Sequence, residues 1–519
     1  MSVDPNPFEF PARGRKGLWL RFLLAALVIV VLSAGVTATA GLNAVQSFVD
    51  DLKQGGTIGG LADVITRADV GDPQTLLLIG SDHRLGDDDS NARSDTMMLV
   101  RLDPDANATT VLSIPRDLKV DYTYRRLLYQ DRKINETFTT GGEALTAKVI
   151  QRILDVPINH IVNVNFKAFR RAVDAIGCVY VDVDRRYYHS NAGLPASLQY
   201  AEIDVPAGYQ RLCGTKALDY VRFRHGDNDF VRAARQQDFL RQAKSQYGID
   251  RFLDDPHEIT KQVAKDIRTD AALKSKEELL NLATLLAFSA RNPIREVHFP
   301  TEYDNSSAGS YVTATPEVLR DVRHEFLSPP PKEPSAEPAG DSGRRKGGDR
   351  RRPRGSRGPS LAGLANFETT GGDYAIQLGA VRFPVYFPKL LTTAGSGYMS
   401  PVRNARGQLE YPRAYRIKTP EGKMKAAYRL VVAYNEVEGS YYGIQGTTWT
   451  DPPILRHPSA DRRTVNGKQL DLFYDGRRLR TVAWRTPRAV YWVQNTLQER
   501  LTNDQMLAIA GSLTRLGGR

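Results

Sequence analysis

Hydrophobic and polar positions divide the chain into segments with different periods. The first is a continuous apolar run: after Arg21 almost every residue up to Val45 is apolar, and Phe22 to Ala40 carries no charge. At 1.5 Å per residue that stretch spans about 28 Å as a helix, close to the hydrocarbon thickness of a bilayer. Arg13, Arg15, Lys16 and Arg21 crowd its N-terminal side. By the positive-inside rule residues 1–17 stay in the cytoplasm, 18–45 form a transmembrane helix, and the remainder is exported. The competing reading is a cleaved signal, because Ala38-Thr39-Ala40 fits a small-x-small cleavage site. The apolar run exceeds the roughly 7–15 residues usual for a signal core, which favours a single-pass anchor in the cell membrane.

Residues 46–73 read as a short tether, and a first globular domain is expected over 74–327. It opens with Thr75-Leu76-Leu77-Leu78-Ile79-Gly80, a run typical of a strand buried on both faces. Strand patterns follow at Thr96 to Leu102, Thr109 to Ile114, His160 to Val164 and Val179 to Val183. Helical stripes lie at Ala144 to Leu154, where Leu145, Val149, Ile150 and Ile153 share a face, and at Phe166 to Ile176. Strands alternating with helices predict an α/β class, an α/β/α sandwich around a mixed sheet.

Residues 328–361 are rich in Pro, Gly, Ser and Arg with no apolar period, the signature of a disordered linker. A smaller α+β domain is expected over 365–519. Its signals are hairpin strands at Tyr428 to Tyr434 and Tyr441 to Thr448, and turn dipeptides Asn466-Gly467 and Asp475-Gly476 around Lys468 to Tyr474. Strands continue at Arg477 to Trp484 and Ala489 to Gln494. A last helix starts near Thr502-Asn503-Asp504 and buries Met506, Leu507, Ile509 and Ala510. Nothing in this domain has the pattern of a catalytic site.

Charge adds less than its total implies. The net charge is +12, but the eight basic residues between Arg344 and Arg357, set against Asp349 alone, supply seven of those charges. The folded parts are mildly basic, and no nucleic-acid partner is indicated. Cys178 and Cys213 are the whole cysteine complement, too few for a disulfide scaffold and without metal spacing. In an exported domain one disulfide between them is compatible with the compartment. The eight histidines form no zinc motif.

Arginines and carboxylates recur where predicted strands end. Ser81-Asp82-His83-Arg84 follows the opening strand, and Arg93-Ser94-Asp95-Thr96 precedes the second. In Ser113-Ile114-Pro115-Arg116-Asp117 the proline stops a strand beside an arginine. Tyr220-Val221-Arg222-Phe223-Arg224 alternates like a strand and would place Arg222 and Arg224 on one face. Asp229, Arg232, Arg235, Gln236 and Gln237 follow, with positions 232 and 236 on one side of a helix. Lys133-Ile134-Asn135 adds a cation. A single such pair is ordinarily a surface ion pair worth under about 1 kcal/mol. Together they describe a pocket for a polyanion, because guanidinium forks match phosphate oxygens. Asp82 and Asp95 have the chemistry to hold a hard cation such as magnesium beside phosphates.

These strings resemble the LytR–CpsA–Psr family of wall-polymer ligases. The carriers are Gly80-Ser81-Asp82, Arg93 to Met97, Ser113 to Asp117, Lys133-Ile134-Asn135, Asp174-Ala175-Ile176-Gly177, Ala217 to Arg222 and Arg232 to Gln237, seven ordered motifs over about 160 residues. The resemblance implies an α/β/α fold with a hydrophobic groove for a polyprenyl tail. It also implies transfer of a glycopolymer phosphate from an undecaprenyl-pyrophosphate carrier to a peptidoglycan hydroxyl. On it, Arg93, Arg116, Arg222, Arg224, Arg232 and Gln236 match the pyrophosphate clamp, Lys133 and Asp229 its flanks, and Asp82 and Asp95 the magnesium-linked carboxylates. Asp95, Arg116, Arg222 and Arg224 are the expected catalytic groups. Where many relatives carry two glycines this chain has Gly177-Cys178, and the departure leads to the expectation that Cys178 is bonded to Cys213. A membrane regulator that only binds the lipid, or a hydrolase of it, would use the same residues.

Overall fold

The fold is that of a computed structural model, which describes residues 46–47, 49–81, 94–106, 108–195, 199, 201–223, 229–247, 261–289, 294–300, 302–307, 309–328, 359–379, 381–404, 407, 409–456, 459 and 461–517. Among these no helix is long and apolar enough to cross a membrane. The span expected at 18–45 and all but the ends of the linker expected at 328–361 lie outside them.

The N-terminal half is built on a mixed seven-stranded sheet. In chain order its strands are β1 (Gly56–Thr57), β2 (Gln74–Ser81), β3 (Ser94–Asp103), β4 (Ala108–Ile114), β7 (His160–Asn165), β12 (Ile267–Thr269) and β13 (Ile294–Val297). They are ordered β1-β12-β7-β2-β3-β4-β13. A ribbon, β5 (Lys119–Tyr124) with β6 (Leu127–Lys133), follows β4. Two further pairs lie off the sheet, β9 (Tyr187–His189) with β10 (Ile203–Val205) and β14 (Glu302–Ser307) with β15 (Gly309–Thr313). Besides shorter stretches of helical backbone such as 49–53, the α-helices of this half among the described residues are α1 (Glu136–Leu154), α2 (Phe166–Ala175), α3 (Gly214–Arg222), α4 (Asp229–Tyr247), α5 (Lys276–Ser289) and α6 (Pro316–Leu327).

Leu76 and Leu77 explain why the opening run reads as continuously apolar. Successive side chains of a strand point to opposite faces. Leu77, Ile79, Leu99 and Leu112 join one core with Val149 and Ile150 of α1 and Val322 and Phe326 of α6. Leu76, Val100, Leu102 and Val162 meet the other, with Leu279, Leu282 and Leu285 of α5. Helices therefore cover both faces, an α/β fold as expected. The tether reading of residues 46–73 is corrected. Val49 and Leu52 enter the second core and Ile58, Leu61 and Val64 the first, while β1 pairs with β12. Apolar positions in this stretch are too sparse for a period to show, yet Val49, Leu52, Ile58, Leu61 and Val64 are buried.

Register decides where the loops gather. β2 pairs antiparallel with β3 up to Ser81↔Ser94, and parallel with β7 up to Ser81↔Asn165. β3 pairs antiparallel with β4 through Met97↔Ile114. The end of β2, the start of β3, the end of β4 and the end of β7 thus share one end of the sheet.

Two strand expectations change. Val179–Val183 is a strand, β8, but it lies outside the main sheet in a ribbon with β11 (Gly208–Leu212). Residues 220–223 are not a strand. The chain from Gly214 to Arg222 is helix α3, with Ala217, Leu218 and Tyr220 buried, and Arg224 lies outside the described residues. The alternation read at Arg222-Phe223-Arg224 is too short to set a period, and Tyr220 and Phe223, three apart, enter one core as helix-spaced residues do.

The disulfide expected between Cys178 and Cys213 is formed, across a sequence separation of 35. It closes the open end of the β8–β11 ribbon, next to the Leu212↔Val179 pair, and Cys213 directly precedes α3. Full-length protein is expected to show no titratable thiol until reductant is added, then two. Cys213→Ser is expected to cost about 2–4 kcal/mol of stability. Two thiols without reductant would contradict the bond.

The C-terminal part, residues 359–517, carries an antiparallel sheet of eight strands. These are β19 (Gly397–Tyr398), β20 (Arg413–Lys418), β21 (Met424–Asn435), β22 (Ser440–Thr447), β23 (Asp461–Val465), β24 (Lys468–Asp475), β25 (Arg478–Arg485) and β26 (Val490–Gln494). Shorter strands β16 (Leu364–Asn366), β17 (Tyr386–Pro388), β18 (Leu390–Thr392) and β27 (Leu513–Arg515) pair at its side. Two helices accompany it, α7 (Glu368–Ile376) and α8 (Asn503–Gly511). The turn dipeptides behave as read. Asn466 and Gly467 both take positive φ between β23 and β24, and Gly476 does so between β24 and β25. Thr502 closes a capping box with Gln505 at the start of α8.

One face of this sheet is covered by α8, Tyr374 of α7 and the short strands. The other lies on the β8–β11 ribbon, where Tyr180 and Tyr209 pack with Trp449, Ile454 and Trp492. That is why β22 and β26 are buried along their whole length. Inside this contact Arg429 Nη1 pairs with Asp182 Oδ1 at 2.7 Å, and Trp492 Nε1 donates to Asp182 Oδ2 at 2.6 Å. Gly443 leaves the space the guanidinium needs, because a Cβ there would sit 2.3 Å from Arg429 Cζ.

Burial also marks Lys244 of α4, whose Nζ donates to Thr109 Oγ1 at 3.2 Å. Burial pushes its ammonium down from 10.5 to about 8. A base with a depressed folded pKa is least costly when neutral, so stability is lost as pH falls from about 10.5 to about 8 and stays lost below. Lys244→Met should therefore raise the melting temperature near pH 7, and the gain should shrink as pH rises toward about 10. An equal gain at both pH values would contradict the assignment.

Candidate functional site

The end of the sheet where β2, β3, β4 and β7 converge is where the expected phosphate-binding residues gather. β4 stops at Ile114 because Pro115 cannot donate a further ladder bond. The turn that follows presents Arg116 and Asp117. Its backbone is tied on both sides: Leu118 N–H donates to Pro115 O, Asn135 N–H to Arg116 O and Val312 N–H to Asp117 O. Asp117 stands between two cations, 3.0 Å from Lys133 Nζ and 3.5 Å from Arg116 Nε. Lys133 ends β6, and its ammonium lies 5.7 Å from the centre of the Tyr311 ring, with Lys119 at 5.6 Å from the same ring.

The second group comes from α3 and α4. Gln236 donates to Thr96 Oγ1 at 3.0 Å and to Val221 O at 3.1 Å, so one side chain ties α4 to the start of β3 and the end of α3. Arg222, the last residue of α3, bonds Asp219 Oδ1 at 2.8 Å and lies 5.6 Å from the Phe166 ring centre, where α2 starts after β7. Asp219 is 1% exposed, so its carboxylate is a fixed support for Arg222 rather than a surface counter-ion. Arg232, one helical turn before Gln236, is buried.

A buried polar chain supports the end of β2. Ser81 Oγ bonds Asn163 Oδ1 at 2.9 Å, Asn163 Nδ2 donates to Glu143 Oε1 at 2.8 Å, and Glu143 pairs with Arg268 at 3.2 Å. Side-chain bonds of this kind at strand ends hold loops in register where no ladder partner remains.

Arg116, Lys133, Arg222, Arg232 and Gln236 are thus placed by elements that meet at one end of the sheet. Asp82, Arg93 and Arg224 lie outside the described residues. Asp95 and Asp229 lie within β3 and α4, and their side chains are outside the description. Asp82 follows Ser81 in the chain and Asp95 follows Ser94, the residue paired with it, but the side chains expected to hold magnesium lie outside the described ones. Among the described residues the group of metal-type donors within reach of one another is Asp174 with Cys178 and Cys213, whose sulfurs are joined to each other and cannot ligate.

Four supporting residues had no role in the sequence reading. Asp117 and Asp219 sat inside the quoted motifs, where an acid next to an arginine was a visible signal. Thr96 also sat inside a quoted motif, but only as a strand residue beside Asp95, with no role of its own. Tyr311 lies far along the chain from Lys133, and nothing local marks it.

The chain matches the model of the LytR_cpsA_psr family over residues 45–325. It is 27% identical over 259 residues to the polyisoprenyl-teichoic acid–peptidoglycan teichoic acid transferase TagU of Halalkalibacterium halodurans, covering 50% of this chain and 80% of that protein. With TagU of Bacillus subtilis it shares 32% identity over 173 residues, covering 33% of this chain and 50% of the relative. Among solved structures, B. subtilis TagV aligns with a TM-score of 0.40 at 23% identity, over 50% of this chain and 96% of the other. The family match ends before the C-terminal sheet begins.

Proposed function

Because the chain belongs to the LytR_cpsA_psr family, several of whose relatives over this region carry the name of transferases, we propose that it moves a glycopolymer phosphate from a polyprenyl-pyrophosphate carrier to a peptidoglycan hydroxyl. The reading rests above all on one observation: cationic and amide groups from the β4 turn, β6, α3 and α4 meet at a single end of the sheet.

The chemistry suits those groups. Phosphoryl transfer requires neutralisation of charge and in-line positioning more than a protein nucleophile. Arg222, oriented by Asp219, and Arg116 and Lys133, oriented by Asp117, would grip the two phosphates from opposite sides. Arg232 and Gln236 would hold the phosphate nearest Thr96. The incoming hydroxyl attacks the phosphorus that bears the sugar, and the bond to the bridging oxygen breaks. The lipid leaves as its monophosphate, its new charge held by the guanidiniums. Asp95 would accept the hydroxyl proton. Magnesium, held by Asp82 and Asp95, would supply further charge neutralisation when bound. Arg93, Arg224 and Asp229 complete the proposed pocket. The span at 18–45 would keep this site on the outer side of the cell membrane, beside the lipid carrier and the wall.

The test is incubation of full-length protein in detergent with magnesium and a lipid-pyrophosphate glycan, with and without peptidoglycan. Release of lipid monophosphate only in the presence of acceptor supports transfer. Equal release without acceptor identifies a hydrolase, and binding without any release identifies a lipid-sensing protein.

A further inference from the structure

Helix α4 has two occupied faces. Arg232 and Gln236 form one stripe, directed at the site through the bonds of Gln236 to Thr96 and Val221. Val231, Ala234, Asp238 and Arg241 form a second stripe, which at 3.6 residues per turn lies roughly 140–220° around the helix from Gln236. That second stripe is the one the C-terminal part holds. Leu497 packs on Val231 and Ala234. Arg480 Nη1 reaches Asp238 Oδ1 at 3.2 Å, and Arg241 Nη2 reaches Asp475 Oδ2 at 2.6 Å.

The contact is a closed ionic cluster rather than a surface pair. Arg241 also pairs with Asp238 at 3.3 Å and with Glu296 of β13, while Arg480 pairs with Glu499 at 3.4 Å and approaches Glu296 and Asp475 at 3.9 Å. Four carboxylates and two guanidiniums are shared among α4, the main sheet and the C-terminal sheet. Arg480 is 7% exposed, and burial raises the pKa of both Asp238 and Glu499. Buried ion clusters add little net stability, because desolvation offsets attraction. They are exacting about geometry, since each charge is tolerable only with its partners in place.

From this geometry we infer that the C-terminal part is a brace for the phosphate clamp. Arg480 is a positioning residue that fixes the translation and rotation of α4, and through it the placement of Arg232 and Gln236. The inference rests on the function proposed above for what the clamp holds, but the bracing itself does not. It gives the segment beyond the family match a role in the reaction without any catalytic group of its own.

The experiment uses full-length protein in detergent and three variants. Arg480→Met removes the charge with little loss of volume, and Arg480→Lys keeps the charge but not the fork. Tyr180→Phe, the control, removes the 2.6 Å bond to Lys418 O elsewhere in the same contact. Hydrogen exchange is read over α4 and α5, and undecaprenyl-pyrophosphate affinity and turnover are measured beside the melting temperature. Arg480→Met is expected to speed exchange in α4 at least about tenfold while α5 is unchanged, and to lower affinity and kcat about 10–100-fold. Arg480→Lys should recover part of both, and Tyr180→Phe should lower the melting temperature with kcat within about twofold of wild type. Should Arg480→Met fail to fold, Arg480→Lys carries the comparison. Unchanged α4 exchange, or faster exchange with unchanged affinity and kcat, overturns the brace. A wild-type protein that neither binds nor turns over the lipid overturns the proposed function instead, and the exchange data still decide the bracing.

Discussion

Asp182→Ala is expected to destabilise the protein by about 3–5 kcal/mol. Asp182 is 2% exposed and Arg429 is fully buried, so the alanine variant leaves a guanidinium in the interior without its counter-charge. It also strips the Trp492 indole N–H of its acceptor. Water cannot repair either loss, because the site lies between the β8–β11 ribbon and the C-terminal sheet. The pair itself is worth far less than its breakage, since burial already raises the Asp182 pKa and so opposes the charged form. The double variant Asp182→Leu with Arg429→Met should therefore recover most of what the single variant loses. Urea unfolding of the three full-length proteins gives the comparison. A loss under about 1 kcal/mol for Asp182→Ala would mean that the two halves do not bury this pair in solution.

The second large effect falls on the chemistry. Arg116→Ala should reduce turnover about 10³-fold, the size expected when a preorganised donor to a developing phosphate charge is removed. Its carbonyl accepts from Asn135 N–H, Leu118 N–H donating to Pro115 O closes the turn around it, and Asp117 already orders its side chain. The substitution should consequently leave the fold alone and change kcat more than KM. Arg116→Lys should restore only part of the rate, because an ammonium cannot grip two oxygens in one plane. Steady-state kinetics with the lipid-pyrophosphate glycan reads this directly. Full activity in Arg116→Ala would remove the residue from the clamp.

How much of this was visible in the sequence depended on where each residue finds its partner. The run from Thr75 to Ile79 announces a strand buried on both faces because its two neighbouring layers are both apolar. The Asn466-Gly467 hairpin and the helix start near Thr502 were legible because their chemistry is local. The strand at Val179–Val183 was found but placed in the wrong sheet. Val179, Val181 and Val183 face the N-terminal half, while Tyr180 packs on Trp449, a residue hundreds of positions away. No period can report such a partner. Helix α3 was misread for a different reason: nine residues give too few turns for a period of 3.6 to stand out. In the site, cations at strand ends were legible one by one. Their gathering at one end followed only from the register of β2 with β3 and β7.

A crystal structure of the full-length protein grown with a polyprenyl pyrophosphate tests the site most directly. The two phosphates should lie within hydrogen-bond reach of Arg116, Arg222 and Arg232, at the end of the sheet where Ser81 pairs with Ser94 and Asn165. A headgroup bound anywhere else, with those three side chains making no contact to it, would contradict the account.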